Sequence, residues 1–296
     1  MTAIVLYQCI PTYKPMPTVR LIKSIVDSNC KVLLDIEDSI QDVQNPELTS
    51  DLKANARRDF ADIIQNLPDQ KFSLRINSIR SKEFEQDKKL LHRFVNNIES
   101  VFIPKVESSN DLTVFINEFG DKHKLNLIIE TQRGVDNIDE ILSSTFNDCI
   151  DFVFFGNYDF HLDNNIYPIT EQHTLNYWKI VEPIISKVES HKINFGNSPY
   201  ANIADTNCLN FSVMQLTKLC KQSFALMSLH KSQTIYLQKL ISEWGLDKLR
   251  SKKINHNGFT LDTFTNKKQK GRSFALDNNR IITPQEYLLL FRKQNG

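Results

Sequence analysis

Leu127-Ile-Ile-Glu130-Thr-Gln-Arg133-Gly134 and Phe154-Phe-Gly156-Asn-Tyr-Asp159-Phe are two apolar runs, each leading into one acid. A short, continuously apolar run of this kind reads as a parallel strand buried on both faces, with one functional group at its C-terminal end. The residues between the two runs suit a helical crossover, which would aim Glu130 and Asp159 at one point. Two hard carboxylate ligands at one point suit Mg2+, which leaves its remaining positions to water and substrate. An isolated acid at a strand end is as readily the cap of the following helix.

The same unit recurs outward in both directions. Strands are expected at Ile4–Cys9, Lys31–Asp35, Phe72–Ile76, Val101–Ile103, Leu125–Ile129, Phe152–Phe155, Ile193–Phe195 and Phe224–Met227. Helical stripes lie between them. Leu52, Ala56, Phe60, Ile63 and Leu67 share one face before Pro68. Ser108 or Ser109 starts a helix that stops near Gly120, Val135, Ile138 and Leu142 form a further stripe, and so do Ile235, Leu237, Leu240 and Ile241. Eight strands with helical crossovers predict a (β/α)8 TIM barrel. A doubly wound sheet is the alternative, but no glycine-rich phosphate turn follows the first strand and no GxxxxGK[ST] occurs. The barrel is expected over residues 1–245. A C-terminal extension, 246–296, would pack on the barrel or on a neighbouring subunit. It opens with a basic stretch (Lys252, Lys253, Lys267, Lys268, Lys270, Arg272) and ends in an apolar unit, Arg272–Arg292.

In such a barrel the chemistry sits at the C-terminal strand ends. Strand two ends in Asp35-Ile-Glu37-Asp38, strand three in Leu74-Arg75-Ile76-Asn77 and strand four in Ile103-Pro-Lys105-Val-Glu107. An arginine within a buried strand needs a partner. Arg75 alternates with Leu74 and Ile76, so it faces the barrel mouth, where its planar fork suits a substrate carboxylate or an internal pair with Glu37 or Asp38.

The ordered set LDIED, RIN, IPKVES, IIETQRG and FFGNYDF resembles the citrate lyase β-subunit-like (HpcH/HpaI aldolase) family, from about Leu33 to His230. The resemblance implies a Mg2+-dependent carbon–carbon lyase or aldolase acting on a small oxoacid or hydroxy acid, or its coenzyme A thioester, through a metal-stabilised enolate. It implies Glu130 and Asp159 as metal ligands, with Mn2+ as a substitute ion. Arg75 would hold an oxoacid carboxylate, Glu37 and Asp38 would orient water and Arg75, and the backbone after Gly156 would line the pocket. A homo-oligomer, often a trimer, is also implied. Lys105 and His230, with Lys14 and Lys231, are candidates for a phosphate or another part of the substrate.

Several positions depart from the family pattern. A PGxRP-like turn reads Pro11-Thr-Tyr-Lys-Pro15, and a DGxYPD-like run reads Asn194-Phe-Gly-Asn-Ser-Pro-Tyr200. An IHPxQ-like turn reads Leu229-His-Lys-Ser-Gln233, and Thr283 stands where some relatives carry an acid that assists thioester chemistry. These departures keep two alternatives open. One is a phosphoenolpyruvate-using or thioester-hydrolysing enzyme, the other a non-catalytic oxoacid-binding barrel.

Composition excludes other classes. Lys plus Arg (36) nearly balances Asp plus Glu (35), so no net field points to nucleic acid or membrane. The opening Met1-Thr-Ala-Ile-Val-Leu-Tyr lacks a basic run and a long apolar segment, so no secretory signal is expected. Five unpatterned cysteines (Cys9, Cys30, Cys149, Cys208, Cys220) suit a cytoplasmic chain with reduced thiols. His92, His123, His161, His173, His191 and His256 form no zinc spacing, no serine nucleophile elbow is present, and Trp178 and Trp244 read as packing residues.

Overall fold

A computed structural model describes residues 3–25, 30–143, 146–242, 260–268 and 272–295. The 245/246 boundary lies outside these, as do Trp244, Lys252, Lys253, His256, Phe259 and Lys270. Eight parallel strands form a closed barrel: β1 (Ile4–Pro11), β2 (Lys31–Asp35), β3 (Phe72–Arg75), β4 (Ile98–Ile103), β5 (Lys124–Ile129), β6 (Ile150–Phe155), β7 (Asn194–Gly196) and β8 (Phe224–Ser228). Strand β1 pairs with β8 and closes the ring. The expected (β/α)8 architecture is therefore the observed one, and all eight strands stand within a few residues of their predicted positions.

Strand alternation divides the core in two. Leu34, Leu74, Val101, Leu127, Ile129, Val153 and Phe155 face outward into the layer beneath the helices. Tyr7, Cys9, Leu33, Phe102, Ile128, Phe152, Phe154, Ala225 and Met227 fill the barrel itself. Tyr7 meets the Phe102 ring edge-on, with centroids 5.1 Å apart and planes at 81°. Gly196 is required beside this cluster, since a Cβ there would lie 2.4 Å from the Phe154 ring.

The helices follow the sequence stripes with local exceptions. Helix Thr49–Asn66 buries Ala56, Phe60 and Ile63. Ser108 caps Ser109–Phe119 through a capping box with Asp111, and Gly120 ends it at φ 62°. The stripe around Ile138 is split into two short helices, Gln132–Asp136 and Ile138–Leu142, that meet at Asn137. In Lys231–Ser242, Leu237 is buried while Ile235 is exposed, so Ile235 is not part of that helix's core face.

The described C-terminal residues form helix Leu261–Lys267, an antiparallel hairpin of β9 (Ala275–Asp277) and β10 (Arg280–Ile282), and helix Pro284–Asn295. Asn278 and Asn279, both at positive φ, make the tight turn. The segment lies against the barrel of its own chain. The Ile281 amide donates to the Ala201 carbonyl, and Lys268 pairs with Asp42 at 2.5 Å. Arg280 is paired with Glu286 within the segment and lies 3.4 Å from Glu171 of the barrel. No helix among the described residues is long and apolar enough to cross a membrane.

Candidate active site at the barrel mouth

The rows of residues that fill the barrel continue upward into charge. Leu33 gives way to Asp35, Ser73 to Arg75, Ile128 to Glu130 and Phe154 to Gly156, each two residues on and therefore on the same face. Cross-strand register sets Asp35 beside Arg75. The guanidinium then grips Asp35 with two parallel bonds, Nε to Oδ1 at 2.7 Å and Nη2 to Oδ2 at 2.5 Å. Its third nitrogen, Nη1, is left 3.6 Å from Glu37 and 3.9 Å from Asp38. The sequence pointed to Glu37 or Asp38 as the internal partner of Arg75. The bidentate partner is Asp35, because only register decides which of three neighbouring acids lies level with it.

Lys105 follows β4 in a left-handed conformation, φ 57°. That turn places two donors among the acids. Its amide donates to Glu130 Oε1 at 3.0 Å, and its ammonium lies 2.9 Å from Glu37, 3.4 Å from Asp38 and 3.4 Å from Asp159. Lys105 is thus committed to carboxylates. Asp159 does not end β6; it stands in the first turn of the following helix, Asn157–Asp163. Gly156, between strand and helix, leaves the space that Glu130 fills, since a Cβ on Gly156 would lie 2.3 Å from Glu130 Oε2.

One residue of this cluster comes from the C-terminal segment. The Gln285 side-chain amide donates to Asp38 Oδ2 at 3.1 Å and to Asp159 Oδ2 at 2.8 Å. Sequence reading missed Gln285, which follows Thr283-Pro284 with no motif of its own. Thr283 lines the same cavity, and its amide donates to Glu286 at 3.0 Å.

A cavity of about 360 Å3 opens above the cluster. Asp38, Arg75, Glu130, Gly156, Asp159 and His230 line it, whereas Glu37 and Lys105 stand behind this surface, against the lining acids. His230 is exposed at the rim, with Nδ1 2.8 Å from Ser232 Oγ. His161 lies outside the cavity; it is buried and bonded to the Asn157 carbonyl and to Thr170.

Charge in the cluster is out of balance. Five acids (Asp35, Glu37, Asp38, Glu130, Asp159) face two cations, Arg75 and Lys105. Burial would raise Asp35, but the Arg75 guanidinium outweighs it and holds this carboxyl below its usual range. Asp38 is likewise lowered, Lys105 and Arg75 overcoming burial. Burial and the neighbouring Asp38 push Glu37 up. Burial, then Asp159, raises Glu130 well above the ordinary carboxylate range, and burial, then Asp38, brings Asp159 to about 8. At Glu37, Glu130 and Asp159, burial and the neighbouring acids outweigh the cations.

A divalent cation fits this donor set. Glu130 and Asp159 supply hard oxygens at the cavity surface, and a dication would offset their mutual repulsion. No group of three or more His, Cys, Asp or Glu side chains with metal-holding geometry occurs among the described residues. Two carboxylates with water and substrate completing the shell is the arrangement that Mg2+ accepts.

A search of curated proteins finds no match. Among solved structures, RipC from Yersinia pestis is 17% identical, with a TM-score of 0.62 over 82% of this chain and 96% of its own. The citrate lyase beta subunit from M. tuberculosis, complexed with oxaloacetate and magnesium, is 16% identical, with a TM-score of 0.61 over 80% and 96%. Protein CitE from Mycobacterium tuberculosis, in complex with magnesium, acetoacetate and coenzyme A, is 13% identical, with a TM-score of 0.61 over 99% of both chains. At these identities the likeness is one of fold. The model of the HpcH/HpaI aldolase/citrate lyase family matches residues 23–195, which span β2 to β7 and all five motifs that build the acid cluster. Over more than half its length, then, this chain carries the family's pattern, and it belongs to the HpcH/HpaI aldolase/citrate lyase family.

Proposed function

We propose that the protein is a Mg2+-dependent carbon–carbon lyase or aldolase that acts on a small oxoacid or hydroxy acid at the mouth of its barrel. One observation carries this reading: five carboxylates against two cations, buried beneath a cavity that Arg75, Glu130 and Asp159 line together. Glu130 and Asp159 would hold the divalent cation, which when bound supplies Lewis-acid stabilisation for negative charge developing on a substrate oxygen.

The remaining residues bind and orient. Asp35 spends two of the three Arg75 nitrogens and locks the guanidinium plane. Nη1, too far from Glu37 and Asp38 for a good hydrogen bond, is the donor left for a substrate carboxylate. A fork fixed in advance costs little entropy at binding and favours one carboxylate orientation. Asp38 reaches the cavity, where its carboxylate, kept ionised by Lys105 and Arg75, can orient a water. Glu37 does not line the cavity; it bonds the Asp38 amide and the Lys105 ammonium, and so positions both. Gln285 closes the site from the C-terminal side.

The test is Mn2+ binding followed by water-proton relaxation, with and without pyruvate or oxaloacetate, on wild type and Glu130→Gln. Binding that is lost in the variant and altered by oxoacid supports metal and substrate at one site. Specific Mn2+ binding unaffected by either change would sink the assignment. No specific binding by the wild type would favour a barrel that holds oxoacids without turnover.

A further inference from the structure

Glu130 and Asp159 are held in different ways. Glu130 directly follows β5, so the sheet places it. Asp159 stands beyond Gly156 on a helix of only seven residues, where no strand register reaches it. The β6–β7 ladder ends at the Phe154–Gly196 pair. Past that rung the Ser198 hydroxyl takes over the link. It donates to the Phe155 carbonyl and accepts from the Asn157 amide at 2.8 Å, and so bridges the Gly156 turn from strand to helix. The Asn157 carbonyl accepts from His161 Nδ1 at 2.8 Å, and His161 Nε2 accepts from the Thr170 amide at 3.1 Å. The Asn157 side-chain amide in turn donates to the Thr170 carbonyl at 3.1 Å.

A buried polar network stands behind Ser198. The Gln172 side-chain nitrogen donates to the Ser198 carbonyl at 2.8 Å and to the Pro199 carbonyl at 3.2 Å. Its oxygen accepts from Asn197 Nδ2 at 3.1 Å and from Ser212 Oγ at 2.9 Å. Tyr177 donates to Asn197 Oδ1 at 2.5 Å. Every hydrogen-bonding position of the Gln172 amide is thus filled, and three successive residues, 197–199, are fixed by one side chain. Buried among Phe155, Val181 and Val213, such a network costs desolvation that apolar packing would avoid. Fully satisfied, it holds one arrangement.

We propose that Ser198, backed by Gln172, is a positioning residue for Asp159. It fixes the turn that carries this carboxylate to the cavity, and so sets the affinity for the divalent cation without touching the cation. This rests on the reading of Glu130 and Asp159 as metal ligands. Neither residue belongs to the five motifs; both act through backbone that the motif FFGNYDF shares with Asp159.

The experiment combines three readouts on wild type, Ser198→Ala and Ser198→Cys: Mn2+ affinity by water-proton relaxation, the urea unfolding midpoint, and backbone hydrogen exchange without metal, read on peptides over 156–163 and 127–131. Ser228→Ala is the control. It is a buried serine on β8, with Oγ 3.2 Å from the Tyr7 carbonyl and 2.7 Å from Thr234 Oγ1. Ser198→Ala should weaken Mn2+ binding roughly tenfold or more, the scale for disturbing a ligand's surroundings. Exchange over 156–163 should quicken while 127–131 stays as in wild type. Ser198→Cys keeps the shape with a weak donor and acceptor, so it should fall between the two and carries the test if Ser198→Ala does not fold. Ser228→Ala should lower the midpoint and keep wild-type Mn2+ affinity.

Wild-type exchange over 156–163 in the Ser198 variants overturns the proposal. Equal losses of Mn2+ affinity in Ser198→Ala and Ser228→Ala also overturn it, since general destabilisation then explains both. If exchange over 156–163 quickens while wild type binds no Mn2+, Ser198 does position Asp159 and the metal reading fails.

Discussion

The barrel mouth and the C-terminal segment reach the same cavity by different physics. At the mouth, Asp35 and Arg75 stand level on neighbouring strands β2 and β3 and Glu130 directly follows β5, so the closed parallel sheet holds them in place. The segment holds Gln285 by a short hairpin, a helix and a few ion pairs on the barrel surface. The first arrangement is stiff because moving one side chain means shifting a strand. The second is placed by docking: Ala275, Ile281, Ile282 and Leu289 are buried, so packing rather than strand register sets its position. The acid cluster and its two cations thus stand on the sheet, and Gln285 reaches them from the docked segment.

Breaking the Asp35–Arg75 pair should produce the largest effect. Asp35→Asn leaves a buried guanidinium without its bidentate anion and should cost about 3–5 kcal/mol in urea unfolding. A variant within about 1 kcal/mol of wild type would show that Glu37 or Asp38 takes over the pair. The matched change in the segment is Glu286→Gln. It removes one partner of Arg280 while Glu171 remains, so it should cost no more than about 1–2 kcal/mol. Its signature should be faster proteolysis within residues 260–295, with the barrel intact. Equal global losses for the two variants would mean that the segment and the barrel unfold as one unit.

Gly156→Ala sharpens the rigid side. Its Cβ would meet Glu130 Oε2 at 2.3 Å, so the carboxylate must move. Mn2+ affinity should fall roughly 10- to 100-fold, the usual scale for disturbing a ligand's surroundings, while the unfolding midpoint changes little. Unaltered affinity would remove Glu130 from the metal site.

The smallest effect is expected at Asp42. Lys268 and backbone amides hold its carboxyl below the ordinary value against the effect of burial. Its folded pKa is depressed, so its contribution is complete above the unfolded pKa near ~3.9 and is lost as pH falls through the folded value. Wild type and Asp42→Asn should therefore differ at pH 6, by less than about 1 kcal/mol, and converge near ~pH 2. A difference that persists in acid would point to packing rather than charge.

Much of the barrel was legible in the chain. Short apolar runs alternating with helical stripes predicted eight strands, and alternation around Leu74-Arg75-Ile76 put Arg75 on the inner face, because side-chain direction in a strand depends only on odd and even position. Glu37, Lys105 and Glu130 were recognisable by their place after a strand. Their division of labour was not. Asp35, Glu37 and Asp38 are near neighbours of one charge, and nothing local says which pairs with Arg75, which lines the cavity and which lies behind Lys105.

Local period was enough to specify the parallel strands, the closed barrel they imply and the face on which Arg75 and Glu130 stand, and the resemblance of five ordered motifs was enough to mark the family. Tertiary packing was needed to make Asp35 grip Arg75, to turn Lys105 left-handed into the acids, and to bring Gln285 in from the far end of the chain. Those contacts join residues tens to hundreds of positions apart. Their energies depend on strand register and on how a separate segment docks, and neither leaves a periodic trace in the sequence.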